Sequence, residues 1–181
     1  MKELSLHILD IVHNSISANA TLVEIEVVEN LDTDTFDICI IDNGKGMSED
    51  TVKRVSDPFY TTRTTRKVGM GIALFKQNAE QTGGWLNISS ELGKGTKVEV
   101  HFSYSNIDRP ELGDISGVLA MLITGTPNVN FRYKHKINSA EFEFTTLEIK
   151  EALGDVSINT PEVYGFLTEF INSNLEEIQI K

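Results

Sequence analysis

Apolar residues recur at intervals of three and four along the first eighteen positions, which predicts an amphipathic helix over residues 3–18. The apolar face of this helix is formed by Leu4, Ile8, Ile11, Val12 and Ser15. Asp10 and Asn14 are four positions apart, so they share a second face. The chain therefore begins with a helix that packs on one side and carries a polar pair on another.

Alternating apolar residues predict four strands in the next part of the chain, at 22–29, 35–42, 85–90 and 96–104. Strand 35–42 is apolar enough on both faces to lie in the centre of a sheet. Helices are predicted over residues 48–55, with Ser48 as N-cap, and over residues 72–82, which two glycines follow. We expect residues 57–71 to form a loop.

Residues 105–110 combine turn-forming residues with a proline, which indicates a boundary. Beyond it, the pattern predicts a helix after Asp114, a hairpin formed by residues 129–135 and 140–145, and a short helix over residues 147–153. Thr160 followed by Pro161 marks the start of a last helix. The chain is therefore divided into a first domain, 1–104, and a small α+β C-terminal appendage, 105–181.

The composition describes an acidic globular protein of 181 residues with a net charge of −11 and a pI near 4.8. This balance argues against binding to nucleic acid or to an anionic membrane, because phosphate groups attract positive surface. No run of eighteen apolar residues is present, so no membrane-spanning segment is predicted. The single cysteine, Cys39, has no partner for an internal disulfide, and a cytoplasmic location is expected.

The end of the second predicted strand carries the sequence Asp42-Asn43-Gly44-Lys45-Gly46. Glycine permits positive φ and close approach of a flat ligand to the backbone. A buried carboxylate at Asp42 can accept a hydrogen bond from an amino group, such as the exocyclic amine of adenine. Taken alone, this composition is more typical of an ordinary turn between a strand and a helix.

The predicted loop 57–71 carries three cations, at positions 63, 66 and 67, just before a Gly-x-Gly that opens a helix. Main-chain N–H groups at a helix N-terminus bind anions, and arginine and lysine add donors that suit phosphate. A solvated loop is the alternative. Asp10 and Asn14 offer hard oxygen ligands for Mg²⁺, and Asp10 could activate a water. The alternative for this pair is a solvated helix face.

These motifs occur in one order: the Asp/Asn helix, Asp-x-Gly-x-Gly after a strand, the basic loop with Gly-x-Gly, and Gly-x-Gly-Thr between two strands. In this order the sequence resembles the GHKL ATP-binding superfamily over about residues 3–104. The group includes histidine-kinase catalytic domains, DNA gyrase B, mismatch-repair ATPases and the ninety-kilodalton chaperones. The resemblance implies an α/β fold, a two-layer sandwich of a mixed β-sheet covered by helices, and it implies binding of ATP with Mg²⁺.

The resemblance also implies roles for individual residues. Asn14 matches the Mg²⁺ ligand, Asp42 the carboxylate that reads adenine, and Thr96 the threonine that supports the adenine pocket. Asp10 holds the position of a catalytic glutamate base, with a side chain one methylene shorter. The remaining predicted nucleotide contacts are Gly44, Gly46, Met47, Phe59, Thr65, Arg66, Lys67, Gly69, Met70 and Gly71, of which the last six belong to a lid over the phosphates.

The sequence of the first helix is most similar to that of mismatch-repair ATPases, whereas the sequence of the predicted lid is more similar to that of histidine kinases. The helical hairpin that carries the phosphoacceptor histidine in those kinases does not precede the domain in this sequence. We therefore expect a stand-alone, kinase-like regulator that acts on a partner protein in trans. Two alternatives are an ATPase switch that orders its lid and forms a homodimer, and a non-catalytic module similar to anti-sigma factors.

Overall fold

A computed structural model describes residues 3–57 and 70–180 of the chain. The first part holds helices α1 and α2 and strands β1 and β2, and the second part holds the other eight elements. In chain order they are α1 (Leu4–Ser17), β1 (Leu22–Asn30), β2 (Thr35–Asp42), α2 (Glu49–Val55), α3 (Met70–Gln81), β3 (Trp85–Glu91), β4 (Gly95–Ser103), α4 (Ile115–Gly125), β5 (Asn130–Ile137), β6 (Ala140–Thr145), α5 (Thr146–Leu153) and α6 (Pro161–Ile180).

The six strands form one mixed sheet with the order β3-β4-β2-β1-β5-β6. The pairing of β1 with β5 is parallel, and the other pairings are antiparallel. Apolar side chains alternate along the strands, so one face of the sheet is buried under the helices while the other is polar. The predicted two-layer α/β sandwich is confirmed.

The helices begin where the sequence offers capping groups. The Ser48 hydroxyl accepts from the Thr51 N–H, as expected for an N-cap, and the Asp114 side chain accepts from the Gly117 N–H. Helix α5 starts with a capping box between Thr145 and Glu148. These contacts satisfy N–H groups that the first helical turn leaves without intrahelical partners.

Helix α3 begins at Met70, two residues before its predicted start. The expectation that the loop extends through Gly71 is therefore wrong, because this glycine lies in the first turn of the helix. Residues 58–69, which contain most of the predicted lid, lie outside the described residues.

The segment after residue 104 continues the same sheet. Strand β5 pairs over its whole length with β1, from Leu22 opposite Asn130 to Glu29 opposite Ile137. One hydrophobic core includes side chains from both segments, such as Ile25 and Tyr133. The predicted hairpin is thus an extension of the sheet, and α5 and α6 pack against it. No helix in the described ranges is both long enough and apolar enough to span a membrane.

Candidate functional site

Three polar side chains lie side by side on the buried face of the sheet. In the strand register, Asp42 on β2 is opposite Thr96 on β4, and Thr96 is opposite Ser90 on β3. The rest of this face is lined with apolar residues such as Ile40 and Val98. A carboxylate and two hydroxyls therefore interrupt an apolar surface at one end of the central strands.

The Asp42 carboxylate is buried, with 9% of the residue exposed, and both of its oxygens accept hydrogen bonds. Oδ2 accepts from Ser15 Oγ at 2.6 Å, and Oδ1 accepts from the Gly44 N–H at 2.9 Å. An ionised carboxylate has about four lone-pair sites, so these two bonds leave capacity for a further donor. Helix α1 and the turn after β2 thus fix the direction of an acceptor that can still take a ligand group.

Ser90 connects the turn after β2 to Thr96. Its Oγ accepts from the Met47 N–H at 2.8 Å and lies 2.9 Å from both the Gly95 carbonyl oxygen and Thr96 Oγ1. If the Ser90 hydroxyl donates to the Gly95 carbonyl oxygen, then the Thr96 hydroxyl is the donor in its bond with Ser90 Oγ. The Thr96 oxygen then keeps its lone pairs for a group bound beside Asp42.

These polar groups open into a cavity of about 280 Å³ between the sheet, α1, α2 and α3. Asn14, Asp42, Met47 and Thr96, all predicted site residues, line it. Its apolar walls include Ala18, Ile40, Val55, Ile72 and Val98. An enclosure with apolar walls and one fixed acceptor suits a flat heterocycle that carries an amino group.

The two glycines after Asp42 are required by close contacts. Gly46 has a φ of +69°, and a Cβ at this residue would lie 1.9 Å from the Glu91 carbonyl oxygen. A Cβ at Gly44 would lie 2.9 Å from the Ala18 carbonyl oxygen. The turn therefore packs tightly between the end of α1 and the end of β3, and only glycine fits it without displacement.

Asp10 and Asn14 lie on one face of α1, as predicted. Neither side chain makes a hydrogen bond to any residue within the described ranges. Asn14 lines the cavity, whereas Asp10 lies against the first turn of α3, where a Cβ at Gly71 would come within 2.9 Å of Asp10 Oδ2. Two oxygen-bearing groups without a partner in the described ranges therefore lie on one face of α1, one at the cavity and one at the first turn of α3.

His7, one turn before Asp10, is fully buried between α1 and α3. Its ring stacks on Phe75 at 4.6 Å, and Nε2 lies 2.9 Å from the Asn78 amide nitrogen. Burial lowers the pKa of His7 to about 4, so the ring is neutral at pH 7. His7 therefore helps pack α3 against α1 and does not line the cavity.

Three residues of the site were not among those predicted: Ser15, Lys45 and Ser90. Ser15 lies on the apolar stripe of α1, so the pattern assigned it to the core. Lys45 lies between the two glycines and lines the cavity mouth. Ser90 becomes recognisable only when β3 and β4 are in register. The predicted contacts Phe59, Thr65, Arg66, Lys67 and Gly69 lie outside the described residues, and Met70 is the first residue of α3.

Residues 2–106 match the family described as histidine kinase-, DNA gyrase B-, and HSP90-like ATPase. The match spans more than half of the chain and includes every residue of the site. The chain belongs to this ATPase family.

Curated relatives of this ATPase-family chain are sensor proteins and kinases. It is 30% identical over 109 residues to a putative sensor protein of Shewanella frigidimarina, and 41% identical over 69 residues to sporulation kinase E of Bacillus subtilis. These alignments cover 59% and 38% of the chain but only 17% and 9% of the relatives. The chain therefore corresponds to a small part of each relative.

Solved structures share the fold of this ATPase-family chain. The N-terminal domain of a DNA repair protein superposes with a TM-score of 0.59 at 16% identity, covering 80% of the chain and 52% of that structure. The Aquifex aeolicus MutL ATPase domain complexed with ADP gives a TM-score of 0.50 at 17% identity, covering 78% and 64%. The similarity to both structures extends beyond the first 106 residues, so it includes part of the segment after β4.

Proposed function

We propose that the cavity binds ATP with Mg²⁺ and that the chain transfers phosphate from ATP to a separate protein. The observation that carries the proposal is the buried Asp42 carboxylate, which has spare acceptor capacity at the floor of an apolar cavity. Membership of the ATPase family supports the choice of ATP as the ligand, and the MutL structural neighbour was solved with ADP.

The cavity is proposed to hold the adenine base through its shape and through one charged hydrogen-bond acceptor, Asp42. In the proposed complex Asp42 accepts from the adenine N6 amino group, and Thr96 offers a second polar contact beside it. The apolar walls, including Ile40 and Val98, pack against the two faces of the ring. Guanine carries a carbonyl oxygen where adenine has the amine, so the Asp42 carboxylate would repel it.

Asn14 is the proposed protein ligand of Mg²⁺. Magnesium is commonly held by one or two protein oxygens together with phosphate oxygens and waters. Within residues 3–57 and 70–180 no group of three His, Cys, Asp or Glu residues could hold a metal by itself. The free amide of Asn14 at the cavity edge fits a metal that arrives with the nucleotide.

The phosphates are proposed to lie toward the N-terminus of α3. Main-chain N–H groups at a helix N-terminus attract anions, and α3 has twelve residues with no acidic residue in its first turn. Lys45 at the cavity mouth adds a positive charge. Arg66 and Lys67, in the predicted lid, remain proposed phosphate contacts on the strength of the sequence alone.

Phosphoryl transfer to a protein is supported by the curated relatives, which include sporulation kinase E and sensor kinases. A second candidate is ATP hydrolysis, and the position of Asp10 favours it. Its free carboxylate lies beside Gly71, at the helix end where the terminal phosphate would bind, and so could orient a water. The two candidates share one binding site and differ in the acceptor of the phosphate.

One incubation of the purified protein with Mg-ATP tests the proposal. Chromatography measures ADP and intact mass measures added phosphate, with Asp42→Ala as the control. Transfer predicts little ADP and no mass gain for the chain alone, with phosphate appearing on a protein acceptor once one is supplied. Steady ADP release that the control abolishes would identify hydrolysis as the activity. A separate binding titration with Mg-ATP completes the test, and absence of binding by the wild type would refute both candidates.

A further inference from the structure

Strand β6 is an edge of the sheet and presents main-chain groups that pair with no other strand among the described residues. The Thr145 N–H donates to Glu148 Oε2, so it does not bond across the ladder to β5. Because residues of an antiparallel pair alternate in the direction of their main-chain groups, Glu143 and Glu141 also direct theirs away from β5. An extended segment could therefore add to the sheet beside β6.

An apolar groove of about 580 Å³ lies between α5 and α6 and meets this edge at Glu143 and Phe144. Glu143 and Phe144 both line it although their side chains point to opposite faces of the sheet, which places the groove at the edge itself. Phe166 and Phe170 of α6 form its outer wall, with their rings stacked at 5.8 Å. Phe166 remains 53% exposed, so a large aromatic surface has no covering side chain within the described ranges.

The segment that contains β6, α5 and α6 is strongly acidic. Residues 140–180 hold nine carboxylates and a single lysine, a net charge of −8 out of −11 for the whole chain. That lysine, Lys150, donates to the Pro127 carbonyl oxygen and to Asn130 Oδ1. Two cations of β5 are also engaged, since Arg132 forms a salt bridge with Glu143 and Lys134 forms one with Glu141. The net negative charge of this segment therefore complements a basic partner.

A second copy of the chain is a poor occupant of the edge. Pairing two β6 strands would bring Glu141 and Glu143 of one copy beside those of the other. Arg132 is shared between Glu143 and Glu24. Arg132 and Lys134 therefore leave this cluster with a net negative charge, and like charges on paired strands are destabilising. A strand that carries lysine or arginine at these positions, and apolar side chains at the alternate ones, meets both surfaces favourably.

We propose that β6 and the groove bind an extended basic segment of a partner protein by adding a strand to the sheet. Its main chain pairs with Glu141 and Glu143, and its apolar side chains enter the groove beside Phe166. Its cations lie near the carboxylates of Glu141, Glu143 and Glu148. This contact lies on the last strand of the sheet, apart from the cavity at Asp42, and does not require nucleotide.

The probe is a short fluorescein-labelled peptide that alternates lysine with leucine, valine and phenylalanine, and anisotropy measures its binding to the full chain. We expect saturable binding that an otherwise identical glutamate peptide lacks and that weakens as NaCl approaches about 1 M, where screening acts within about 3 Å. Asp42→Ala is expected to bind the peptide like the wild type, so this test is separate from that of nucleotide binding.

Glu143→Pro tests the strand pairing, because it removes an outward N–H without removing a bond to β5. It should weaken binding about tenfold relative to Glu143→Gln, which loses the charge but keeps the N–H. A peptide methylated on alternate main-chain nitrogens applies the same test without altering the protein. Phe166→Ala should weaken binding at least about fivefold, whereas Tyr164→Ala, another exposed aromatic of α6 outside the groove, should not.

Several outcomes would overturn the proposal. They are absence of peptide binding, equal binding of the glutamate peptide, and binding that neither Glu143→Pro nor main-chain methylation weakens. Sedimentation that shows β6-dependent self-association, lost in Glu143→Pro, would assign the edge to a second copy of the chain instead.

Discussion

Asp42 and Thr96 are direct partners in the register of β2 and β4, and both side chains line the same cavity. Fifty-four positions separate them in the sequence. Their contact depends on the antiparallel pairing of two central strands, while Ser15 and Ser90 orient them through bonds of 2.6 Å and 2.9 Å. The strand pairing and these hydrogen bonds therefore set the relative positions of the two polar groups.

Replacing Asn14 by alanine should remove the part of nucleotide affinity that depends on metal. The amide oxygen is the proposed Mg²⁺ ligand, whereas the base pocket is untouched by this change. Titrations of ATP with Mg²⁺ and with EDTA are the measurement, and the difference between them should shrink. Asn87→Ala, on the exposed face of β3, is the matched control and should leave both affinities unchanged. An unaltered magnesium dependence in the Asn14 variant would assign the metal to other ligands.

Asp10→Asn should suppress any ATP hydrolysis while leaving ATP affinity nearly constant. The carboxylate accepts no hydrogen bond from a described residue, so its proposed role is to accept a proton from water. General base catalysis contributes about 100-fold to 10,000-fold to a rate, and the loss should fall in this range. ADP release under saturating Mg-ATP is the assay, with Asp32→Asn in an exposed turn as control. Full hydrolysis by the Asp10 variant would exclude it as the base.

His7 should make the chain less stable in mild acid. Its pKa is lowered from 6.5 to about 4 by burial, so the unfolded chain takes up a proton first as pH falls below 6.5. The resulting loss in free energy of unfolding is complete only below pH 4 and reaches on the order of 3 kcal/mol. Urea unfolding at pH 7 and pH 4.5 should show a smaller difference for His7→Gln than for wild type. His13→Gln, an exposed histidine on the same helix, should behave like wild type.

Two glycine-to-alanine changes should have opposite effects on stability. Gly165 lies inside α6, and a Cβ there meets nothing within 4 Å, so alanine should add about 1 kcal/mol and raise the Tm by about 2–4 °C. Alanine at Gly46 would place its Cβ 1.9 Å from the Glu91 carbonyl oxygen at a φ of +69°, and the Tm should fall. Thermal unfolding followed by circular dichroism measures both. A stable Gly46 variant would show that the turn can move away from β3.

Local patterns were sufficient to predict most of the elements. The alternation in β2 predicted its bounds, Thr35–Asp42, and the capping serine predicted the start of α2. Helix α3 was predicted two residues late, because Met70 and Gly71 have no local feature that separates a helix start from a glycine-rich loop.

Long-range contacts could not be predicted in the same way. The parallel pairing of β1 with β5 joins segments more than one hundred positions apart, and no turn signal connects them. The sequence predicts His135 only as a strand residue, yet it is buried, bonds Glu29 across this pairing and bonds Tyr133 on its own strand. The family resemblance identified Asp42 and Thr96, whereas Ser90 needed the strand register.

Isothermal titration calorimetry with Mg-ATP and Mg-GTP tests the central claim most directly. Because Asp42 is proposed to accept from the adenine amine and to repel the guanine carbonyl, ATP should bind at least about tenfold more tightly than GTP. The amide that Asp42→Asn introduces can donate as well as accept, so this variant should bind ATP more weakly and show a smaller ratio of ATP affinity to GTP affinity. Asp37→Asn, on the outer face of the same strand, should change neither quantity. Equal affinities for the two nucleotides, or a ratio unaffected by Asp42→Asn, would contradict the account.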